Sequence, residues 1–485
     1  MSPFAARSKR SEHPPELPQA CIIGAGSSGI AGAKVLHERG IPFDCFEASD
    51  RVGGNWVFGN KNGMSSSYRT LHINTSRERM EYSDFPMPKS YPDFPHHTHI
   101  AEYFNDYVDH FGFRDKILFD TPVERAARRE DGVWEVTVPG GGTRLYDALF
   151  VANGHHWDPR WPEPPFPGSF DGTQMHAHYY RDQDAFRDKR VVVVGMGNSA
   201  MDLAVDASYV AERTFLAARR GAHVIPKYLS GKPVDQPWRQ GRLGSLLANP
   251  RIPYSVRRRM LEKTLASQVG RMEDYGLPKP DHRVGEAHPT VSGRILDRIV
   301  HGTITPKPNI AELQGDRVKF DDGSVEQADV VVYCTGYKVS FPFFDEDFIS
   351  APDNDLPLFR RVFHPDVDNV FFLSLLQPLG ATMPIAEAQA KWVADYLRGL
   401  YALPPDQELR TDMERERARM FKRYVASKRH TMQIDFDDYL YELEKERRRG
   451  GARARGRDYR PPIPPRAAAA VERVPAPVAS RGGQA

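Results

Sequence analysis

Two glycine-rich hexapeptides stand out: Gly24-Ala25-Gly26-Ser27-Ser28-Gly29 and Gly195-Met196-Gly197-Asn198-Ser199-Ala200. Each follows a short apolar run and opens a helical pattern, and a strand-to-helix junction is where such a turn can do chemistry. The first glycine permits the tight turn, the second lets a phosphate approach the backbone, and the third lets the helix pack on its strand. Ala200 in the third place of the second turn is a tolerated small residue. Free N–H groups and the positive end of the helix dipole then face the anion. Each turn reads as a phosphate cradle.

The residues downstream separate the two cradles. Glu47 ends the strand pattern Pro42 to Glu47, about 20 residues past the first turn, where a carboxylate can accept from ribose hydroxyls. The matching strand after the second turn, Thr214 to Ala218, ends on Arg219 and Arg220 with no carboxylate. Guanidinium groups suit a ribose 2′-phosphate, and Arg219 is the stronger candidate. Two cradles need two ligands. The simplest assignment is FAD at Gly24, Gly26, Ser27, Ser28, Gly29 and Glu47, and NADPH at Gly195, Gly197, Asn198, Ser199, Ala200, Arg219 and Arg220. NADPH is expected to outperform NADH. The flavin would be the redox centre, because Cys21, Cys45 and Cys334 offer no closely spaced pair.

The elements that must position these residues follow from the apolar pattern. Ala20 to Ile23 reads as a buried strand, followed by a helix to Arg39 closed at Gly40 and a second strand, a βαβ unit. Arg190 to Val194 repeats the theme. Between them lie a helix near Ile100 to Phe111, antiparallel strands Ile117 to Arg129 and Val133 to Val138, and a strand Ala148 to Ala152. Asp235 to Leu296 reads as an insertion with a basic helix at Ser255 to Gln268, and Asp329 to Cys334 as a further apolar strand. The expected fold is α/β with two dinucleotide-binding, Rossmann-like domains, the NADPH domain inserted in the FAD domain. The expected boundaries are 18–165 and 305–445 for the FAD domain and 166–304 for the NADPH domain, with the insertion at about 235–296. Residues 1–17 and the Arg-, Pro-, Ala- and Gly-rich 446–485 are expected to be disordered.

With 485 residues, 40% hydrophobic, 27% charged and a net charge of +2, the chain has the composition of an ordinary soluble protein of two to three domains. So small a charge argues against nucleic acid or an anionic membrane as partner. No apolar run reaches transmembrane length, and no secretory leader is expected. Three scattered cysteines suit a reducing cytosol, and neither a disulfide framework nor a metal site is expected.

Further motifs are present. Phe170, Gly172, His176, Tyr180 and Arg181 make up Phe-x-Gly-x-x-x-His-x-x-x-Tyr-Arg just before the second turn. To these add Gly53-Gly54-Asn55-Trp56, Asn74-Thr75-Ser76, Tyr275 to Pro280, Cys334-Thr335-Gly336-Tyr337, Gln377-Pro378-Leu379-Gly380 and Pro384 to Trp392. Over roughly residues 18–445 this set resembles the flavin-containing monooxygenase family, the class B group. Tyr180-Arg181 is similar to the N- and S-oxygenating branch, where related Baeyer–Villiger enzymes carry Trp followed by Pro or Asp. Asn153 stands where the family often has Thr.

The resemblance implies a reaction. NADPH reduces FAD, O2 adds to give a C4a-(hydro)peroxyflavin, and one oxygen passes to a soft nucleophile such as an amine, a sulfide or indole. It implies that Asn74 is the catalytic residue, an amide beside flavin and nicotinamide with a donor and an acceptor but no proton to lose. Asn55, Trp56, Thr75 and Gln377 are implied cofactor contacts. His176 is implied to lie at the hinge, without acid–base work. Expected partners are a small-molecule substrate and O2, with a homodimer left open. Two other readings stay open, Baeyer–Villiger oxygenation of ketones and a non-catalytic redox sensor.

Overall fold

The computed structural model describes residues 17–140, 142–229, 231–236, 252–424 and 431–456. Four-residue apolar stretches such as Ala20–Ile23 and Val330–Tyr333 are buried on both faces, as strands interior to a parallel sheet must be. They build two five-stranded parallel sheets. The first runs in the order Val370–Phe372, Ala148–Val151, Ala20–Ile23, Phe43–Phe46, Ile117–Leu118. The second runs Thr173–His176, Val330–Tyr333, Arg190–Val194, Arg213–Ala217, Thr305–Lys307. In each, the strand that feeds a glycine turn lies at the centre, so both turns emerge at the carboxyl edge of a sheet.

Helix Ser27–Glu38 covers the first sheet and packs against helix Met383–Leu397. Gly29 and Gly32 let it lie close on that sheet and its connecting loops. A Cβ on Gly32 would sit 2.9 Å from Leu373 Cδ1. Helix Asn198–Val210 covers the second sheet and buries Ala200, Met201, Leu203 and Ala204. A three-stranded antiparallel sheet, Arg125–Arg128, Trp134–Val138 and Gly142–Tyr146, flanks the first unit. Among the described residues, no helix is long and apolar enough to cross a membrane.

Four expectations change. The single strand Ile117 to Arg129 is two elements: Ile117–Leu118 joins the first sheet, and Arg125–Arg128 joins the antiparallel one. Asp120 turns to φ 51 between them and Pro122 lacks an N–H, so the strand cannot run through. The return to the first unit does not occur at residue 305, because Thr305–Lys307 and Val330–Tyr333 are strands of the second sheet. Leu17 packs against the first core, while 1–16 lie outside the described residues.

The fourth change is at the C-terminal end, where 446–455 continue helix Phe436–Arg455. Composition read this stretch as solvated. Tertiary pairing overrides that: Tyr401 Oη donates to Glu446 Oε1 at 2.8 Å, Arg453 pairs with Glu446, and Gly450 packs flat against the Tyr401 ring. Residues 457–485 of the expected tail lie outside the described residues, as do 237–251 of the expected insertion.

Candidate active site

The first turn leaves its strand at Gly24, which holds φ +101. A Cβ there would come within 2.7 Å of the Ala152 carbonyl oxygen, and a Cβ on Gly29 would overlap the Gly24 carbonyl. These two glycines are therefore needed by the fold itself. Gly26 is different. Its Cβ would meet nothing nearer than Gly54 Cα at 3.7 Å, and the space beside it opens into a cleft. Gly26 caps helix Ser27–Glu38 without a side-chain hydrogen bond, and the first turn carries no acidic residue. Unclaimed amides, a positive helix end and room for atoms beside Gly26 fit a pyrophosphate.

Ser27, Ser28 and Glu47 line the same cleft. Glu47 is buried, accepting from Ala25 N at 2.7 Å and Ser49 N at 2.8 Å. Burial raises its pKa, and the backbone amides of Ala25, Ser49 and Ala48 oppose the rise. Gly53 and Gly54, at φ 133 and 53, fold the Asn55-Trp56 turn over Gly26. Asn55 Oδ1 accepts from Ser66 N at 2.8 Å and Ser66 Oγ at 2.9 Å, which fixes that turn.

The second turn repeats the geometry. Gly195 holds φ +134, and a Cβ there would lie 2.8 Å from the Cys334 carbonyl and 3.5 Å from Ala200 Cβ. Gly197 caps helix Asn198–Val210, again without a side-chain hydrogen bond or an acidic residue in the first turn. Asn198 Oδ1 accepts from Val291 N at 2.7 Å and Thr290 Oγ1 donates to the Met196 carbonyl at 2.5 Å, so the turn is braced from behind. Gly197, Asn198, Ser199, Arg219 and Arg220 line the cleft. Arg220 pairs with Asp281 at 2.8 Å, whereas Arg219 is exposed and has no partner among the described residues. Gly221 sits so close to the Pro278 carbonyl that a Cβ would overlap it, so the Tyr275 to Pro280 segment supports the arginine loop.

Both turns open into one cleft of about 1730 Å³, which Asn74, Asn55, Trp56 and Gln377 also line. Asn74 is half-buried, and its amide has no hydrogen-bond partner among the described residues. Three of the expected contacts do not line the cleft. Gly29 and Ala200 shape the two turns, and Thr75 donates to the Gly380 carbonyl at 3.4 Å, beside Gln377.

Similarity to known proteins extends over nearly the whole chain. The flavin-binding monooxygenase-like family model covers residues 18–448. The chain is 36% identical to flavin-containing monooxygenase 5 of Rattus norvegicus over 445 residues, 87% of this chain and 81% of the relative. It is 33% identical to dimethylaniline monooxygenase [N-oxide-forming] 2 of Macaca mulatta over 440 residues, 88% of this chain and 82% of the relative. Among solved structures it is similar to S-allyl-L-cysteine S-oxygenase from Allium sativum, with a TM-score of 0.66, 25% identity, and coverage of 91% of this chain and 93% of that one. The chain belongs to the flavin-binding monooxygenase-like family. Its activity is flavin-dependent oxygenation, and the cofactors of that activity are FAD and NADPH.

In this flavin monooxygenase the Phe170 to Arg181 motif is a brace. A Cβ on Gly172 would overlap the Asp329 carbonyl, and Tyr180 Oη donates to Asp206 Oδ2 at 2.8 Å. His176 is buried edge-on to Tyr337, and burial lowers its pKa to about 4, so the imidazole is neutral at neutral pH. Burial also raises the Cys334 thiol, which keeps it protonated against the cleft wall.

The monooxygenase has further polar residues here that sequence reasoning passed over. Asp202 lines the cleft and accepts from Tyr68 Oη at 2.5 Å, and burial pushes its pKa up to about 6. Asp206, one helical turn on, accepts from Thr70 Oγ1 at 2.5 Å. The available signal was a pair of carboxylates at i,i+4 on a helix whose buried residues, Asp206 aside, are all apolar.

Proposed function

We propose that this monooxygenase transfers one oxygen atom from O2 to a soft nucleophile, an amine or a sulfide, with FAD at the Gly24 to Gly29 turn and NADPH at the Gly195 to Ala200 turn. The observation that carries the reading is the single cleft into which both turns and the Asn74 amide open. A redox pair must bring its rings together, and one cleft at the carboxyl edges of both sheets allows it. The uncapped helix ends at Gly26 and Gly197 support two phosphate sites, and Arg219 supports a 2′-phosphate on the second ligand. In this reading the first sheet with its antiparallel flank is the FAD domain, and the second sheet is an NADPH domain inserted within it.

Bound FAD, reduced by NADPH, supplies the centre at which O2 is activated. The chain's own groups do the rest. Asn74 offers donors and an acceptor at the reacting centre without a labile proton. Trp56 and Gln377 shape the flavin side of the cleft, and Ser27, Ser28 and Glu47 hold its diphosphate and ribose. Asn198, Ser199 and Arg219 hold NADPH. The balanced reaction consumes NADPH, O2 and a proton with the substrate, and yields oxygenated product, NADP+ and water. When transfer fails, the same electrons leave as hydrogen peroxide.

The choice of soft nucleophile rests on the relatives named for N-oxide formation and for S-oxygenation. The test is NADPH consumption with a tertiary amine, a thioether, indole or a cyclic ketone, with products identified by mass. N-oxide or sulfoxide in step with NADPH supports the proposal. A lactone from the ketone, with no heteroatom product, would replace it with Baeyer–Villiger chemistry. Consumption that stops at one equivalent would make the protein a redox sensor.

A further inference from the structure

Asn74 belongs by sequence to the first unit, yet its segment is fastened to the second. On one side of Asn74, Lys227 Nζ donates to the Ile73 carbonyl at 2.9 Å. On the other, Ser76 N donates to Asp235 Oδ2 at 2.6 Å, and Gln236 Nε2 donates to Ser76 Oγ at 2.8 Å. Ser76 and Gln236 are almost fully buried. The three holding residues come from one short stretch that includes the hairpin of Tyr228–Leu229 and Lys232–Pro233. The start of the same segment is tied independently, by Tyr68 to Asp202 and Thr70 to Asp206, both on the helix that follows the second glycine turn. Lys227, Asp235 and Gln236 do not line the cleft. Asp235 and Gln236 reach the cleft through Ser76, whereas Lys227 also acts electrostatically on Asp202 in the cleft wall.

We propose that Lys227, Asp235 and Gln236 are positioning residues for Asn74, holding its amide in register with the second glycine turn so that oxygen transfer stays coupled to NADPH oxidation. The proposal rests on the reading of Asn74 given above. The physical ground is the short reach of a hydrogen bond: a misplacement on the order of 1 Å at a reacting centre costs about a hundredfold. Without them, residues 73–76 keep Ile73 N on the Pro95 carbonyl at 3.0 Å, the 3.4 Å contact at Thr75 and the local bonds of Arg79 N and Met80 N to the Ser76 carbonyl; none of these reaches the second unit, so the turn has that freedom relative to the second glycine turn. Held at 73 and 76 by three further bonds, two of them from charged groups, it does not.

The test uses the full FAD-loaded enzyme and reads two quantities: the fraction of NADPH electrons released as hydrogen peroxide with a thioether present, and amide hydrogen exchange over residues 72–77. Asp235→Ala should raise the peroxide fraction several-fold and speed exchange at Ser76, while flavin content and flavin reduction by NADPH stay as in wild type. Asp235→Asn keeps an oxygen acceptor in place and should restore coupling. Wild-type coupling in Asp235→Ala despite faster exchange, or Asp235→Asn as uncoupled as Asp235→Ala, overturns the proposal. If Asp235→Ala fails to retain flavin, Gln236→Met and Lys227→Met decide by the same two readings, and unchanged coupling in both overturns it. Asn74→Leu in parallel separates the two ideas. If that variant remains coupled, the reading of Asn74 falls; if it uncouples and the holding variants do not, only the positioning proposal falls.

Discussion

Arg220 and Asp281 form an ion pair at 2.8 Å, which ties one of two adjacent arginines to the protein and leaves Arg219 facing the cleft. A charge-assisted hydrogen bond to a phosphate is worth about 1.5–3 kcal/mol, or roughly ten- to a hundredfold in affinity. Arg219→Ala should raise the Michaelis constant for NADPH by that factor and leave NADH nearly unchanged. Arg220→Ala should have the smaller effect. Equal losses for both nucleotides would show that Arg219 does not read the 2′-phosphate.

The glycines of the first turn predict different failures. Gly24→Val and Gly29→Val place atoms against backbone carbonyls and should yield little folded protein. Gly26→Val has room in the protein, so the chain should fold, with its circular dichroism intact, and be colourless because the valine occupies phosphate space. A folded Gly26→Val protein with full flavin absorbance would move FAD elsewhere.

Asn74→Leu keeps side-chain size and removes both hydrogen-bonding groups. A well-placed donor at a reacting centre is worth about 3 kcal/mol, so product formation should fall by about a hundredfold. Flavin reduction should persist, with hydrogen peroxide accounting for the NADPH consumed. Product still forming in step with NADPH would make Asn74 a turn residue only.

Much of this site could be read in the sequence because it is built locally. A glycine turn, the helix it opens and the residue that ends the next strand lie within one βαβ stretch, so spacing alone singles out Gly26, Glu47, Gly197 and Arg219, all of which line the cleft. What escaped depends on partners far away in sequence. Val330–Tyr333 was recognised as a strand, but which sheet it joins is set by pairing with Arg190–Val194 and Thr173–His176. The helix at 446–455 looked solvated because its stabilising contacts, Tyr401 and Ala402, lie some fifty residues back. Asp202 likewise depends on a distant partner, Tyr68, 134 residues away in sequence.

Asp202 gives a pH dependence with a definite sign. Burial raises its pKa from 3.8 to about 6, so the folded chain holds this proton more tightly than the unfolded one. Its contribution to stability is full below about pH 4 and is lost as pH rises through about 6, by at most about 3 kcal/mol. Asp202→Asn keeps an acceptor for Tyr68 and removes the titration. The difference in unfolding free energy between wild type and variant should change across that window and be flat above it. A flat difference throughout would mean that Asp202 ionises as freely folded as unfolded.

Adjacent glycines in the terminal helix should respond with opposite signs. Replacing glycine by alanine inside a helix ordinarily stabilises by about 1 kcal/mol. Gly451 has room, its nearest contacts lying at 3.7 Å, so Gly451→Ala should raise the melting temperature. At Gly450 the methyl would overlap the Tyr401 ring, and overpacking of this kind costs about 1–3 kcal/mol. Gly450→Ala should lower the melting temperature, and a rise in both variants would show that Tyr401 yields freely.

The ties from Tyr68, Thr70, Ile73 and Ser76 to the second unit bear on how such enzymes can be recombined. A chimera made by exchanging only the stretch around the second sheet would pair a foreign helix and hairpin with the resident 68–76 segment, mismatching the Tyr68–Asp202, Thr70–Asp206 and Ser76–Asp235 contacts at once. The unit that can be inherited or transplanted intact is therefore discontinuous in sequence. It consists of the second sheet with its helix and hairpin, together with nine residues encoded more than a hundred positions upstream of that helix.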